Sequence, residues 1–360
     1  MSTVLLLSPP DQFGYFEDTP FQVAFATYLG LKCPIMAPLA GRSFGKKGVR
    51  LDRYGANLAA AALPGQGHRR TLNKLQSILQ AMMKLGGIHT EKEAVNFIMD
   101  EVGEPHISSY INHVTAHSSA KKATFAIIPD LHALNFPEGK QTINNSGVTT
   151  TAEAFFETKT YTACKTRYAH NNNDVNKSPD RRAKEVNSIY RSKFKKLDKQ
   201  FAADIVGNGT GDMAGPFEAS QARFYRGQVP LCAGWFVEIN EDFEKVIKLL
   251  AREAAAGDDG MGISPLANSD KKGGAYTIML NQFRRAIGCA IIRGQAQHKL
   301  GRLHYVRATA AEAASVCRAN HSESSWKPSQ RGRSSWYTAN TPEGYSTFEQ
   351  FRNGHYFNVH

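Results

Sequence analysis

The chain has 360 residues, 41% of them hydrophobic, and a formal charge of +12. This is ample for a buried core, and no apolar run approaches the ~18 residues that a membrane-spanning helix needs, so no membrane association is expected. Five scattered cysteines without a C-x-x-C pair exclude a disulfide framework and a cysteine zinc site, and the excess of cations points to a polyanion partner, DNA or RNA.

Residues 1–10 hold a short apolar run without a basic flank, which predicts no secretory signal. Residues 1–40 are apolar and proline-marked, with Phe13, Tyr15, Phe16, Phe21 and Phe25 as cover for part of the core. Two glycine-rich basic loops follow. One spans 41–50 with Lys46, Lys47 and Arg50; the other spans 64–70 with Arg69 and Arg70. Glycines let backbone and cations approach phosphates closely, but neither loop carries the Gly-Lys-Ser or Gly-Lys-Thr of a nucleotide-binding loop.

Leu72, Leu75, Leu79, Met82 and Met83 predict a helix over 71–85, ended by Gly86 and Gly87. Thr90 to Glu93 reads as a capping box opening a helix through Met99, with Ala94, Phe97, Ile98 and Val102 on its apolar face. His113 and His117 are spaced to share a helical face, which is read as structural. A mostly apolar run, 123–130, predicts a strand ending on Asp130. A second, 152–161, alternates so that Glu153, Phe155, Glu157, Lys159 and Tyr161 share one face.

The most basic segment is 165–199. Within it Ser178 or Asp180 caps a helix whose stripe over 181–205 is Val186, Ile189, Tyr190, Phe194, Leu197, Phe201 and Ile205. Its cations, Arg181, Arg182, Lys193, Lys195 and Lys196 among them, lie largely on the other side, either solvated or set against phosphates. After a glycine-rich break at 207–215, 229–239 reads as a buried strand. Asn240 caps a helix over 241–255, and Asp258 and Asp259 form a turn. A helix over 276–292, a short strand at 303–306 and a capping box at 309–312 precede a polar tail from 321, where Trp326, Trp336 and Tyr337 alternate with arginines suited to stacking on bases.

Pro129-Asp130 and Glu157-Thr158-Lys159, with 26 residues between Asp130 and Glu157, resemble the PD-(D/E)XK phosphodiesterase superfamily. Other acidic-x-Lys and Pro-Asp pairs, such as Glu138 with Lys140 and Pro179 with Asp180, fall on turns or a helix start. The resemblance implies that Asp130 and Glu157 hold Mg²⁺ or Mn²⁺ and that Lys159 orients the attacking water or stabilises the phosphorane. It also nominates Glu101, ahead of the strands, as an added acidic metal ligand. Hard divalent ions take carboxylate oxygens, and charge builds on the phosphate as water attacks.

The expected fold class is therefore α/β, a restriction-endonuclease-like mixed central sheet flanked by helices, with further helical segments at both ends. The expected division is 1–89 (helical and basic), 90–257 (nuclease-like core), 258–320 (helical) and 321–360 (irregular tail). An endonuclease acting on DNA is the leading reading, and the chain's general character is similar to open reading frames of protist mobile elements, without a diagnostic motif. An intracellular location, the nucleus included, is expected, and self-association into a homo-oligomer stays open. The alternative is a non-catalytic packaging or coat protein of a virus or retroelement. Convergence of Asp130, Glu157 and Lys159 favours the enzyme; a sheet of eight short antiparallel strands favours the coat.

Overall fold

A computed structural model describes residues 18–63, 67–92, 94, 98, 101–117, 127–139, 152–161, 177–207, 214–257, 260 and 274–307. Six longer helices run through them: α1 (Asp18–Tyr28), α2 (Gly67–Leu85), α3 (His106–His117), α4 (Lys177–Phe201), α5 (Glu241–Ala256) and α6 (Ala275–Gly301). A small hairpin joins β1 (Ser43–Phe44) to β2 (Val49–Arg50). The main sheet is mixed, in the order β3 (His89–Lys92), β4 (Leu131–Leu134), β5 (Glu153–Thr160), β6 (Gln228–Ala233). Its first two pairings are antiparallel; β5 and β6, joined by the crossover that contains α4, are parallel.

Period two along β5 and β6 sorts their side chains onto two cores. Ala154, Phe156, Val229, Leu231 and Ala233 pack with Leu79 and Met82 of α2, Phe243 and Leu250 of α5 and Phe283 of α6. Phe155 and Cys232 face the other way, onto Ile107 and Tyr110 of α3 and Val186, Tyr190, Phe194 and Leu197 of α4. Phe155 and Phe156 are both fully buried, each burial stabilising by roughly 1.5–3 kcal/mol, so β5 is fixed from both sides. A third cluster, with Val23, Met36, Phe44, Leu58 and Ile292, seats α1 and the hairpin on α6.

The helices expected over 71–85, 241–255 and 276–292 form as α2, α5 and α6; that expected over 181–205 forms as α4 but ends at Phe201, where Ala202 breaks it from a short turn over Ala203–Val206, and Ile189 and Ile205 of its expected apolar stripe are exposed. Helix α2 ends where Gly87 turns to φ 71° and the Ile88 and Gly87 N–H groups reach back to Met83 and Lys84 at 2.8 and 3.0 Å, satisfying the last carbonyls. Helix α6 continues past Gly294, where a Cβ would stand 2.6 Å from the Thr71 side chain, so the glycine lets α2 and α6 close up.

Elsewhere tertiary pairing overrides the local signal. Residues 90–92, the start of the supposed capping box, lie instead in β3 and pair with β4 (Thr90 with Ala133). Of the strand expected over 123–130, the described residues 127–130 are not in a strand, and β4 starts at Leu131, after Asp130; Pro129 has no N–H to give to a ladder. The strand expected over 229–239 ends at Ala233; the chain reverses, with the Gly234 N–H on the Glu238 carbonyl at 2.8 Å and Ile239 bridging back to Ala233. Leu303–Tyr305 is a 3-10 turn, after which Val306 makes one bridge to Phe44.

Asn240 stands at the N-cap position just ahead of α5, but its side chain makes no capping hydrogen bond. Its side chain lies on the outer edge of β6, accepting from Cys232 N–H at 2.8 Å and donating to the Pro230 carbonyl at 2.9 Å, while its own N–H reaches the Cys232 carbonyl at 3.2 Å. The vacant capping role passes to Asp180 of α4, whose carboxylate accepts from Glu241 N–H at 3.0 Å.

Among the described residues Cys33, Cys232 and Cys289 are buried and form no disulfide. Among the described residues no helix is long and apolar enough to cross a membrane. The run 123–126, most of the break at 207–215, Asp258 and Asp259, the box at 309–312 and the tail from 321 lie outside the described residues.

Candidate active site

The site grows out of β5. Glu157 and Lys159, two residues apart on a strand, point to one face, and the parallel register sets them beside Pro230 and Cys232 of β6. Asp130 arrives from the segment just ahead of β4. The pairing of Leu131 with Phe156 places it beside the stretch of β5 that β4 no longer covers. There Thr158, between Glu157 and Lys159, donates both its N–H (2.8 Å) and its hydroxyl (2.9 Å) to one Asp130 oxygen, Oδ2. The buried Gln76 of α2 donates to the same hydroxyl at 3.1 Å, so the helix on the opposite face of the sheet helps fix Asp130.

The three residues singled out from sequence converge. Lys159 Nζ lies 3.6 Å from Asp130 Oδ2 and hydrogen-bonds Glu157 Oε1, so one ammonium spans two carboxylates. Glu157 is 6% exposed, which rules out the solvated strand face that alternation alone allows. The Lys159 and Asp130 side chains are 30% and 19% exposed, so the cluster opens to solvent on their side. Burial pushes the Glu157 carboxyl above the ordinary glutamate range, and the Asp130 charge adds to this; Lys159 and the Tyr190 hydroxyl oppose it. Tyr190 of α4 donates to Glu157 Oε2 at 2.7 Å, and burial, with Glu157 adding to it, holds its phenol far above the ordinary range. Burial also pushes the neighbouring Cys232 thiol up to about 12, which leaves it a packed, protonated side chain rather than a nucleophile.

These donors fit a small hard cation. A lysine ammonium already bridges the two carboxylates, and the hydrogen bonds described for Asp130 all end on Oδ2, leaving Oδ1 available. Among the described residues no set of three His, Cys, Asp or Glu side chains converges, so Asp130 and Glu157 are the two carboxylates that could hold a hard cation here.

Glu101 is not brought to this pair. It is engaged by Arg223 at 2.8 Å in a second buried group, where Arg223 also binds Glu153, and Glu153 meets His132 at 2.7 Å. Glu153 sits on the same face of β5 as Glu157 but four residues earlier, roughly 13 Å along the strand. Sequence reasoning missed Arg223, His132 and Thr158. It read Tyr190 as part of an apolar stripe, although a buried tyrosine hydroxyl needs a partner and was the one available signal.

The expected phosphate-binding residues divide. On α4, Lys193 stands over the Tyr190 ring at 4.8 Å, Lys195 and Lys196 are exposed, and Arg181 is half-buried. Arg182 pairs with Glu185 at 2.7 Å. This helix therefore carries cations on the element that also supplies Tyr190 to the site. Lys46 and Lys47 are exposed at the turn between β1 and β2, and Arg50 on β2 donates to the Gly41 carbonyl at 3.2 Å. That hairpin is tied to the end of α6 by the Phe44 and Val306 bridge and by Arg307 N–H on the Ser43 carbonyl at 2.9 Å. Arg69 is exposed near the start of α2, and the Arg70 side chain lies outside the described residues.

Comparison with known proteins finds no match: no family model fits the chain, and no curated protein sequence or solved structure is significantly similar to it.

Proposed function

We propose that the protein is a Mg²⁺-dependent (or Mn²⁺-dependent) endonuclease of restriction-endonuclease-like fold that hydrolyses phosphodiester bonds in DNA. The observation that carries this reading is the bridging of Asp130 and Glu157 by the Lys159 ammonium on one partly open edge of a mixed sheet. The four-stranded sheet with helices on both faces supports the same reading and differs from the all-antiparallel sheet of a coat protein.

In the reaction a water oxygen bonds to phosphorus and the ester bond to the leaving sugar oxygen breaks; the water loses a proton and the leaving oxygen gains one. A bound Mg²⁺ would acidify that water and neutralise charge on the phosphoryl oxygens. Asp130 and Glu157 would hold the ion, with Asp130 fixed by Thr158 and Glu157 by Tyr190. Lys159, beside both carboxylates, is placed to steer the water and to meet the negative charge of the pentacovalent phosphorus. The α4 cations would grip the backbone on either side of the scissile bond.

Cleavage of supercoiled plasmid and of single-stranded DNA in Mg²⁺ tests this. Asp130→Ala and Lys159→Ala are expected to lose about 100-fold or more of the activity while folding and DNA affinity persist. If the native chain cuts nothing yet binds DNA with a steep salt dependence, the catalytic reading goes and a packaging role takes its place.

A further inference from the structure

The Glu157 carboxylate has two oxygens, and the fold treats them differently. Oε1 faces Lys159 and, beyond it, Asp130, whereas Oε2 is taken by the Tyr190 hydroxyl at 2.7 Å. Tyr190 has little freedom to let go. It is 5% exposed, its ring packs on Phe155 with centroids 6.2 Å apart, and it belongs to a 25-residue helix anchored by Val186, Phe194 and Leu197. Glu157 is itself 6% exposed between that helix and the strand. With Oε2 turned toward the Tyr190 hydroxyl, Oε1 is the oxygen that the carboxylate presents to the open cluster.

Cations differ in what they accept from such a ligand. Mg²⁺ demands near-ideal octahedral geometry with short bonds, keeps waters, and suits a carboxylate giving one oxygen. Ca²⁺ takes more oxygens at longer range and readily accepts both oxygens of one carboxylate. We propose that Tyr190 is a positioning residue that sets the metal selectivity of the site, holding Glu157 to one-oxygen ligation and so favouring Mg²⁺ and Mn²⁺ over Ca²⁺. The proposal rests on the reading of Asp130 and Glu157 as metal ligands. It adds a residue 33 positions away in sequence that would touch neither metal nor substrate.

Tyr190→Phe tests it, because the ring stays and only the hydroxyl goes. Dissociation constants for Mg²⁺, Mn²⁺ and Ca²⁺ are measured by isothermal titration calorimetry on the full chain, with the Mn²⁺ electron paramagnetic resonance spectrum as a direct view of the ion's surroundings. Tyr225→Phe, which removes an equivalent tyrosine bond to a carboxylate (Glu138, 3.0 Å) elsewhere, is the control. The expected result is a shift of the Ca²⁺ to Mg²⁺ affinity ratio toward Ca²⁺ by about 10-fold in Tyr190→Phe, with an altered Mn²⁺ spectrum and no shift in Tyr225→Phe. An unchanged ratio in a folded Tyr190→Phe protein that still binds Mg²⁺ through Asp130 would overturn the role of Tyr190 and leave the nuclease reading standing. A native chain whose Mg²⁺ and Mn²⁺ binding is absent, or indifferent to Asp130→Asn, would overturn both.

Discussion

Thr158 gives two hydrogen bonds, one from its backbone and one from its side chain, to a single oxygen of Asp130. A carboxylate that lies outside any strand is thereby tied to the strand that carries Glu157 and Lys159. Thr158→Val keeps the shape and the N–H bond but removes the hydroxyl, leaving both Asp130 and the buried Gln76 short of a partner. Urea unfolding should show a loss of about 1–3 kcal/mol, and cleavage should fall with it; Thr158→Ser, which keeps the hydroxyl, should recover most of both.

Arg223 holds Glu101 and Glu153 together where all three are largely removed from water. Arg223→Leu would strand two buried carboxylates, and a destabilisation of about 3–5 kcal/mol is expected in chemical denaturation. Glu101→Gln separates the two roles given to that residue. As the Arg223 partner, it should change stability while leaving Mg²⁺ affinity within about twofold.

Lys299 is buried with neutral partners, donating to the Thr27 hydroxyl at 2.8 Å and the Tyr54 carbonyl at 3.1 Å and standing over the Trp235 ring. Burial lowers its ammonium to about 8 from the usual 10.5. The unfolded chain therefore holds this proton more tightly than the folded one, so the amine contributes stability as pH rises from about 8 toward 10.5, on the order of 3 kcal/mol in all. At pH 7 both states are protonated and the cost of burying the charge is undiminished. Lys299→Met should raise the melting temperature at pH 7 and remove this increment from the stability measured between pH 8 and 10.5.

If α4 grips DNA, neutralising Arg181, Lys195 and Lys196 together to Gln should flatten the plot of log affinity against log salt by about 0.9 for each phosphate that the helix no longer neutralises. The same change at Lys46 and Lys47 reports on the hairpin separately. A slope that moves for the hairpin and not for the helix would relocate the interface.

How much of the fold and site is legible in the sequence follows from the range of each interaction. Period two in β5 puts Glu157 and Lys159 on one face from sequence alone, and the apolar stripe of α4 gives most of its buried side, Val186, Tyr190, Phe194 and Leu197, although Ile189 and Ile205 of the same stripe are exposed. Asp130 is placed near them but at the wrong end of its strand, because a run of apolar residues does not show where a proline stops the ladder. Thr90 to Glu93 satisfies a capping pattern, yet β4 offers residues 90–92 an edge to pair with. Tyr190 with Glu157 and Arg223 with Glu101 are contacts between residues 33 and more than 100 positions apart, and no local pattern encodes them. Asn240 does stand at the head of α5, as its residue type suggests, but its side chain serves the strand instead.

That last exchange bears on assembly. The outermost strand of a sheet invites another chain to add itself, and among the described residues β6 is such a strand. With Asn240 occupying the outward-facing groups of Pro230 and Cys232, nothing there is left to recruit an incoming strand. Along Pro230 to Cys232 an incoming strand would have to displace the Asn240 side chain before it could extend the sheet.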